Sequence, residues 1–420
     1  MASQQVASAL AAIEASASQQ KPHLYKDLLS KIASSSSTAS EHELAHDLVF
    51  YLDSILNEDN SIVVVRPLLN SFIDVLQNLP AESRIKVGQH AVTVIRSRSV
   101  EEQDARIREI LADAYESQME YGTAAKLLQG IHLDSSQRLI SDSAKVKLWI
   151  RIMRLYLEED DPTSAEGVLN RVKNLPSKIE DQELKLHFQL SQARILDARR
   201  RFLDASQEYF NVSLAGDVDE SDRLKALSAA MTCAILAPAG PQRSRVLARL
   251  YKDDRASSVE EFGILEKMLL DRLLNPEEVA AFSEWLAPHQ LAQTADGTTV
   301  LDKAVIEHNL VAASKLHENM TVDSLGLILG LKDDGVGDMT AGEKAEAYAA
   351  RMVEQGRLRG SIDQISGIIY FDSMMMGMGS GASSKPIRQW DAGVQGVAED
   401  VERVATGIAD RFPVSSHSQS

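Results

Sequence analysis

Leu358-Arg-Gly-Ser-Ile-Asp363 and Gly367-Ile-Ile-Tyr-Phe371 are the stretches on which the fold turns. In the first, Leu358, Gly360 and Ile362 alternate with Arg359, Ser361 and Asp363, the period of two that sends successive side chains to opposite faces of a strand. The second is a β-branched and aromatic run of strand length. Just upstream the period is that of a helix. Leu301, Val305, Asn309, Ala312 and Leu316 line one face, and a short helix follows from Thr321 with Leu325 and Leu329. A third opens at Thr340-Ala-Gly-Glu343, the spacing of a capping box, and stops at Gly356. Three helices and then a β-hairpin read as a winged helix over about residues 298–373. An edge of the Ile368–Phe371 strand is expected to pair with a neighbour's sheet, which makes Ile369 and Phe371 candidate subunit-interface residues.

Upstream of the winged helix, the chain is helical almost throughout. The first thirty residues read as one modest helix, followed by a Ser-rich loop at 34–40. Leu44, Leu48, Leu52, Ile55 and Leu56 then fall at helical spacing. Tyr115, Ala124, Leu127, Leu128 and Ile131 form a pattern that returns as Tyr156, Ala165, Val168, Leu169 and Val172. A weaker third copy is Leu196, Ala205, Tyr209 and Val212. A period near 40 with a small residue where two helices cross predicts a TPR-like solenoid of stacked helix pairs, each hiding its apolar face against its neighbours. The expected fold class is therefore mostly α: a helical-repeat arm over 1–235, a domain over 236–373 that includes the winged helix, and a tail. Between arm and winged helix, Ala237-Pro-Ala-Gly-Pro241 is a turn. Asn275-Pro276-Glu277-Glu278 starts a helix, which Pro288 is expected to close, and Thr294-Ala-Asp-Gly297 is a turn.

Downstream, the Met- and Gly-rich run at 374–385 reads as a flexible linker. Over 386–412, Ile387, Trp390, Val394, Val397, Val401, Val404 and Ile408 are spaced alternately by three and four, a heptad seam. Gly393, Gly396 and Gly407 each weaken an isolated helix by about 1 kcal/mol. Such a helix needs partners, so the seam is expected to enter an intersubunit bundle.

Composition narrows the function classes. The chain has 420 residues, 44% hydrophobic and 25% charged, with a formal charge of −17. That charge repels phosphate backbones and anionic membranes. From Glu343 to Arg357 the third helix carries Glu343, Glu346 and Glu354 against Lys344, Arg351 and Arg357, whereas a groove-reading helix is distinctly basic. Protein, and not nucleic acid, is the expected partner. No apolar run reaches membrane-spanning length, and the N-terminus has no basic region before its short apolar run. The single cysteine, Cys233, excludes an intrachain disulfide and reads as a buried inert thiol; cytoplasmic and nuclear residence fit.

No cofactor or metal site is expected. The histidines are scattered, with neither His-x-His nor His-Glu-x-x-His, and Glu307-His308 sits on a helix where adjacent residues point apart. A hydrogen-bonded core or helix-surface histidine is the better reading there. Gly337-Asp-Met-Thr-Ala-Gly-Glu-Lys344 departs from a phosphate loop in its lysine position and in lacking the following Ser or Thr. Gly377-Met-Gly-Ser-Gly381 opens no βαβ unit, and Asp333-Asp-Gly-Val-Gly-Asp338 lacks the acid spacing of a calcium loop.

Several runs resemble one known family in both residues and order. They are Arg243-Ser-Arg-Val-Leu247, Gly263-Ile-Leu-Glu-Lys-Met268, Pro288-His-Gln290, Thr294-Ala-Asp-Gly297, Ala304-Val-Ile-Glu-His-Asn-Leu310, Ala313-Ser-Lys-Leu316, Gly356-Arg357 and Ile362-Asp-Gln-Ile365. Upstream, Leu155-Tyr-Leu-Glu-Glu-Asp-Asp-Pro162 and Asp197-Ala-Arg-Arg-Arg-Phe202 belong with them. Together they are similar to the fourth-subunit family of the COP-nine signalosome, a branch of the PCI-domain proteins. The likeness covers roughly residues 20–410 and is densest over 234–316.

The resemblance implies a non-catalytic scaffold in the complex that removes the ubiquitin-like Nedd modifier from cullin-RING ligases, its substrate. The implied partners are other PCI subunits and the MPN-type isopeptidase pair, which carries the zinc. Two departures stand out: an apparent insertion at 331–339, and the length of the 374–385 linker. The alternatives are a PCI subunit of the proteasome lid or of a translation-initiation complex, and a nucleic-acid-binding winged-helix protein.

Overall fold

The computed structural model describes residues 4–16, 20–34, 41–57, 61–95, 100–133, 140–174, 179, 181–293, 297–332, 339–372 and 401. The chain divides into two compact units, residues 1–234 and 235–420.

The first unit is entirely helical among the described residues. It opens with α1 (Gln4–Glu14) and α2 (Lys21–Ser34), where the sequence had suggested one helix. α3 (Glu41–Ile55), α4 (Ile62–Gln77) and α5 (Ala81–Ile95) follow. Tyr25, Tyr51 and Phe72 are fully buried together, and burial leaves the tyrosine hydroxyls needing partners. Tyr51 donates to the Tyr25 carbonyl at 3.1 Å, and Tyr25 meets Ser54 Oγ at 2.9 Å.

Then come three helix pairs: α6 (Glu101–Ser117) with α7 (Tyr121–Gln129), α8 (Asp142–Glu158) with α9 (Pro162–Lys173), and α10 (Gln182–Ala198) with α11 (Phe202–Ser213). The repeat lies in the turns as well as in the apolar pattern. Met119, Asp160 and Arg200 have φ of 62°, 57° and 60° and recur at the spacing of the apolar pattern. After each, an amide reaches back five residues: Glu120 to Tyr115 O at 3.0 Å, Asp161 to Tyr156 O at 2.9 Å, and Arg201 to Leu196 O at 2.8 Å. This is the Schellman closure, which satisfies the last carbonyls of one helix and aims the chain into the next. Ala124, Ala165 and Ala205 are fully buried at the crossings the sequence assigned them.

Arginines tie successive pairs. Arg151 of α8 reaches Asp113 and Glu116 of α6, and Arg194 of α10 reaches Glu158 (2.7 Å) and the Leu157 carbonyl (3.2 Å) of α8. Half-exposed pairs of this kind contribute less than about 1 kcal/mol each, so they set register while the apolar core holds the stack. α12 (Glu220–Leu236) closes the unit and receives Ser206 Oγ on its Ala230 carbonyl at 2.8 Å. Beside it Cys233 is buried, and burial followed by the Asp197 charge raises its thiol pKa well above the ordinary value, so the thiol is inert.

The second unit runs α13 (Pro241–Tyr251), α14 (Phe262–Leu269), α15 (Pro276–Ser283), α16 (Val300–Leu316), β1 (Asn319–Thr321), α17 (Val322–Ile328), α18 (Ala341–Glu354), β2 (Gly360–Asp363) and β3 (Ile368–Phe371). Capping boxes open α15, α16 and α18, two of them at the stretches read as helix starts, Asn275 and Thr340. α15 ends at Ser283, well ahead of Pro288.

Three expectations need correction. The sheet has three strands in the order β1-β3-β2, all antiparallel, and not two. β1 escaped notice because it is three residues long and its Thr321 also caps α17, leaving no alternation to read. In consequence β3 is central. Ile369 pairs with Met320 on one side and Ile362 on the other, so the strand has no open edge for a neighbour. The side chains of Ile369 and Phe371 are buried with Ile306, Leu310, Leu325, Ala349 and Met352. Lastly, α16 is not one-sided. Leu316 is exposed and Val305 only half-buried, while Ile306, Leu310 and Ala313 enter the core on another face. α16 is central to its unit, so no single stripe describes it.

Two glycines let backbones meet. A Cβ on Gly326 would lie 2.8 Å from the Ala341 carbonyl, where α17 and α18 cross, and one on Gly360 would collide with the Tyr370 carbonyl oxygen across β2–β3.

Candidate subunit interface

Three consecutive polar residues of α16, Glu307, His308 and Asn309, are buried. Burying such groups is costly unless every donor and acceptor is met. Each meets a different piece of chain. Glu307 takes both arms of the Arg357 guanidinium, at 2.5 and 2.9 Å, and the Ala239 amide at 3.1 Å. Arg357 in turn reaches the Ala239 carbonyl at 3.3 Å. His308 Nε2 donates to the Arg272 carbonyl at 2.8 Å, which leaves Nδ1 as acceptor toward Arg243 at 3.5 Å. Asn309 pairs with both backbone groups of Leu274, at 2.9 and 3.2 Å. Arg243 returns to the Ala237 carbonyl at 3.1 Å.

One helix turn thus clamps the 237–243 turn, the segment after α14, and the entry to the wing. Burial pulls His308 down to about 4, with the Arg243 charge acting in the same direction, so the imidazole is neutral near pH 7. Burial also pulls Arg243 down to about 10, against the opposing charge of Glu307, and it remains a cation. The Glu307–His308 reading as hydrogen-bonded core holds. The polar groups named here face partners in their own chain, so the arrangement holds separate stretches of backbone together. No group of three or more His, Cys, Asp or Glu able to hold a metal ion occurs among the described residues. None of the helices described there is long and apolar enough to cross a membrane.

The clamp carries the wing. Asp363 Oδ1 accepts from the Ile365 and Ser366 amides at 3.0 and 3.3 Å, closing a tight turn that thrusts Ile365 fully into solvent. A hydrogen bond from the Ser366 side chain, followed by the Ser366 and Ile365 amides, holds the Asp363 carboxyl below its usual range. Tyr370 is exposed on the outer face of β3. Among the described residues the strands left unpaired on one side are β1 and β2. Arg357 turns inward to Glu307, which removes a base from the exposed charge of the α18 region.

The predicted interface residues therefore divide. Ile369 and Phe371 support the sheet from beneath. Ile387, Trp390, Val394, Val397, Val404 and Ile408 lie outside the described residues, as does the 374–385 linker; Val401 is described, and it is exposed. Residues 333–338 of the apparent insertion are likewise outside. Ile365 is not among the residues the sequence singles out for the interface, although it lies in the motif Ile362-Asp-Gln-Ile365 and the Asp and Gly of its turn are the signal of its exposure.

The runs that resembled a known family are those that build this clamp: Arg243, Glu307, His308, Asn309 and Arg357 all fall within them. Comparison with known proteins extends the likeness to the whole chain. The family described as "PSMD12/CSN4, N-terminal" matches residues 5–221, and the PCI domain matches residues 280–373. The COP9 signalosome complex subunit 4 of Emericella nidulans is 72% identical over 98% of this chain and 99% of its own length. This chain belongs to the signalosome subunit 4 family. The Neurospora crassa protein of the same name is 46% identical over 98% of both chains, and that of Arabidopsis thaliana is 41% identical over 93% of this chain and 95% of its own. Family membership makes the chain a non-catalytic PCI subunit with partners inside one complex.

Proposed function

We propose that this chain is a scaffold of the signalosome that supports removal of the ubiquitin-like Nedd modifier from cullin-RING ligases. The observation that carries this reading is 72% identity to a signalosome subunit over essentially the full length of both proteins. The helix pairs and the self-satisfied clamp fit a part that presents surfaces and performs no chemistry. In this reading the zinc isopeptidase is one of an MPN-type pair of neighbouring subunits, other PCI subunits flank the chain, and the cullin-RING ligase is the substrate. Residence is cytoplasmic and nuclear.

The division of labour we assign is an arm over 1–235, a PCI domain over 236–373, a linker over 374–385 and a bundle helix over 386–412. The seam from Ile387 to Ile408 joins the complex, with Trp390 as its largest anchor. Ile369 and Phe371 act indirectly, by holding the sheet whose outer strands and wing tip face a neighbour. A tagged pull-down from native extract, with cullin deneddylation assayed on the eluate and on the purified chain alone, tests the proposal. Activity in the eluate and none in the lone chain is expected. Recovery of proteasomal base proteins without deneddylation would transfer the chain to the lid.

A further inference from the structure

We propose that a trough in the first unit, between α10 and α12 with α11 as its floor, docks a basic amphipathic helix of another protein. The trough has a volume of about 620 Å³, within the range of ligand-sized clefts, about 300–1,000 Å³. Its shape is set by two stripes at helical spacing. α10 contributes Glu183, Leu186 with His187, and Leu190, and α12 contributes Asp222, Lys225 with Ala226, and Ala229. Each stripe spans two turns, about 10 Å. The small side chains Ala226 and Ala229 keep the α12 wall low, and Leu190 remains 39% exposed.

A guest helix presenting apolar residues at i, i+4 and i+7 matches two parallel stripes of that period. The rim determines its charge. Glu183, Asp217, Asp219 and Asp222 are all exposed around the opening, and the one ammonium among the described lining residues is that of Lys225, which already pairs with Asp222 at 2.8 Å. Among the described residues lining the trough, His187, 3.8 Å from Glu183, and the buried Tyr209 of the floor are the other titratable groups. With Asp222 paired to Lys225, the remaining three carboxylates around an apolar floor select lysine or arginine beside the guest's apolar stripe, and they reject nucleic acid and acidic helices.

The test uses the full chain and three fluorescent helix-forming peptides, read by anisotropy. One carries a leucine stripe flanked by lysines, the second has glutamate for each lysine, and the third has serine for each leucine. The first is expected to bind at least tenfold more tightly than either control, and to weaken as NaCl rises from about 0.05 to 0.5 M. Asp217→Lys, Asp219→Lys and Asp222→Lys together should invert the preference between lysine and glutamate peptides. Leu190→Asp should abolish binding of both. These positions are exposed, and an unchanged circular dichroism spectrum verifies that the variants fold.

Equal binding of the lysine and glutamate peptides, or binding that survives charge reversal, overturns the proposal. So does a chain truncated after Ser384 that binds the lysine peptide tenfold more tightly than the full chain, since the trough would then belong to the protein's own tail.

Discussion

Replacing Arg357 by methionine removes the charge that answers Glu307 and leaves most of the side-chain volume. The Glu307 carboxylate is only 3% exposed and the Arg357 side chain 18%, so water cannot take the guanidinium's place. Glu307 would keep the Ala239 amide at 3.1 Å and lose two charge-assisted hydrogen bonds. Breaking one side of a buried pair costs about 3–5 kcal/mol, more than the pair itself contributes. The nearby charge of Arg243 should hold the loss toward the lower end, about 3 kcal/mol. Glu307→Leu added to Arg357→Met removes the orphaned carboxylate. The double variant should then be no less stable than Arg357→Met alone, although Ala239 loses its partners. Arg359→Met, on an exposed neighbour, should stay within about 0.5 kcal/mol of the parent. Urea unfolding of the full chain, followed by circular dichroism, reads all three. A stability for Arg357→Met within about 1 kcal/mol of the parent would refute the account of the clamp.

Other consequences follow from the same contacts. His308 sits near 4 in the fold against an ordinary 6.5, so it binds its proton later than the unfolded chain does. Its contribution is complete above pH 6.5 and is lost as pH falls toward 4, about 3 kcal/mol at the limit, and His308→Gln should flatten that part of the pH–stability curve. Met119 holds a left-handed backbone angle with its side chain in solvent, so Met119→Gly should stabilise the arm by about 0.5–1 kcal/mol, read as a raised urea midpoint; destabilisation would mean the turn is not strained. Gly326→Ala drives a methyl against the Ala341 carbonyl and should cost about 1–3 kcal/mol, seen as a lowered melting temperature.

Much of this architecture was legible because its determinants are local. The period of two around Ile362, the β-branched and aromatic run around Ile369, the capping box at Thr340 and the recurring tyrosine and alanine positions each declare themselves within a few residues. What escaped was set by partners distant in sequence. β1 is a strand only because β3 lies beside it, and β3 is central only because β1 exists. The face of α16 could not be read from spacing because helices, turn and sheet all press on it. Glu307 and His308 were recognised as an unpromising catalytic pair, but their structural task depends on Ala239 and Arg272, which no spacing along the chain reveals. The exposure of Ile365 follows from the turn at Asp363 and was overlooked between two readable strands.

The central claim is that this chain assembles a deneddylase without supplying its chemistry. Reconstitution of the complex with the full chain, with a chain ending at Ser384, and with none, scored by cullin deneddylation and by co-elution of subunits, tests it most directly. The account predicts full activity with the whole chain, and loss of both co-elution and activity with the other two. Deneddylation at the full rate in a complex lacking this chain would contradict it.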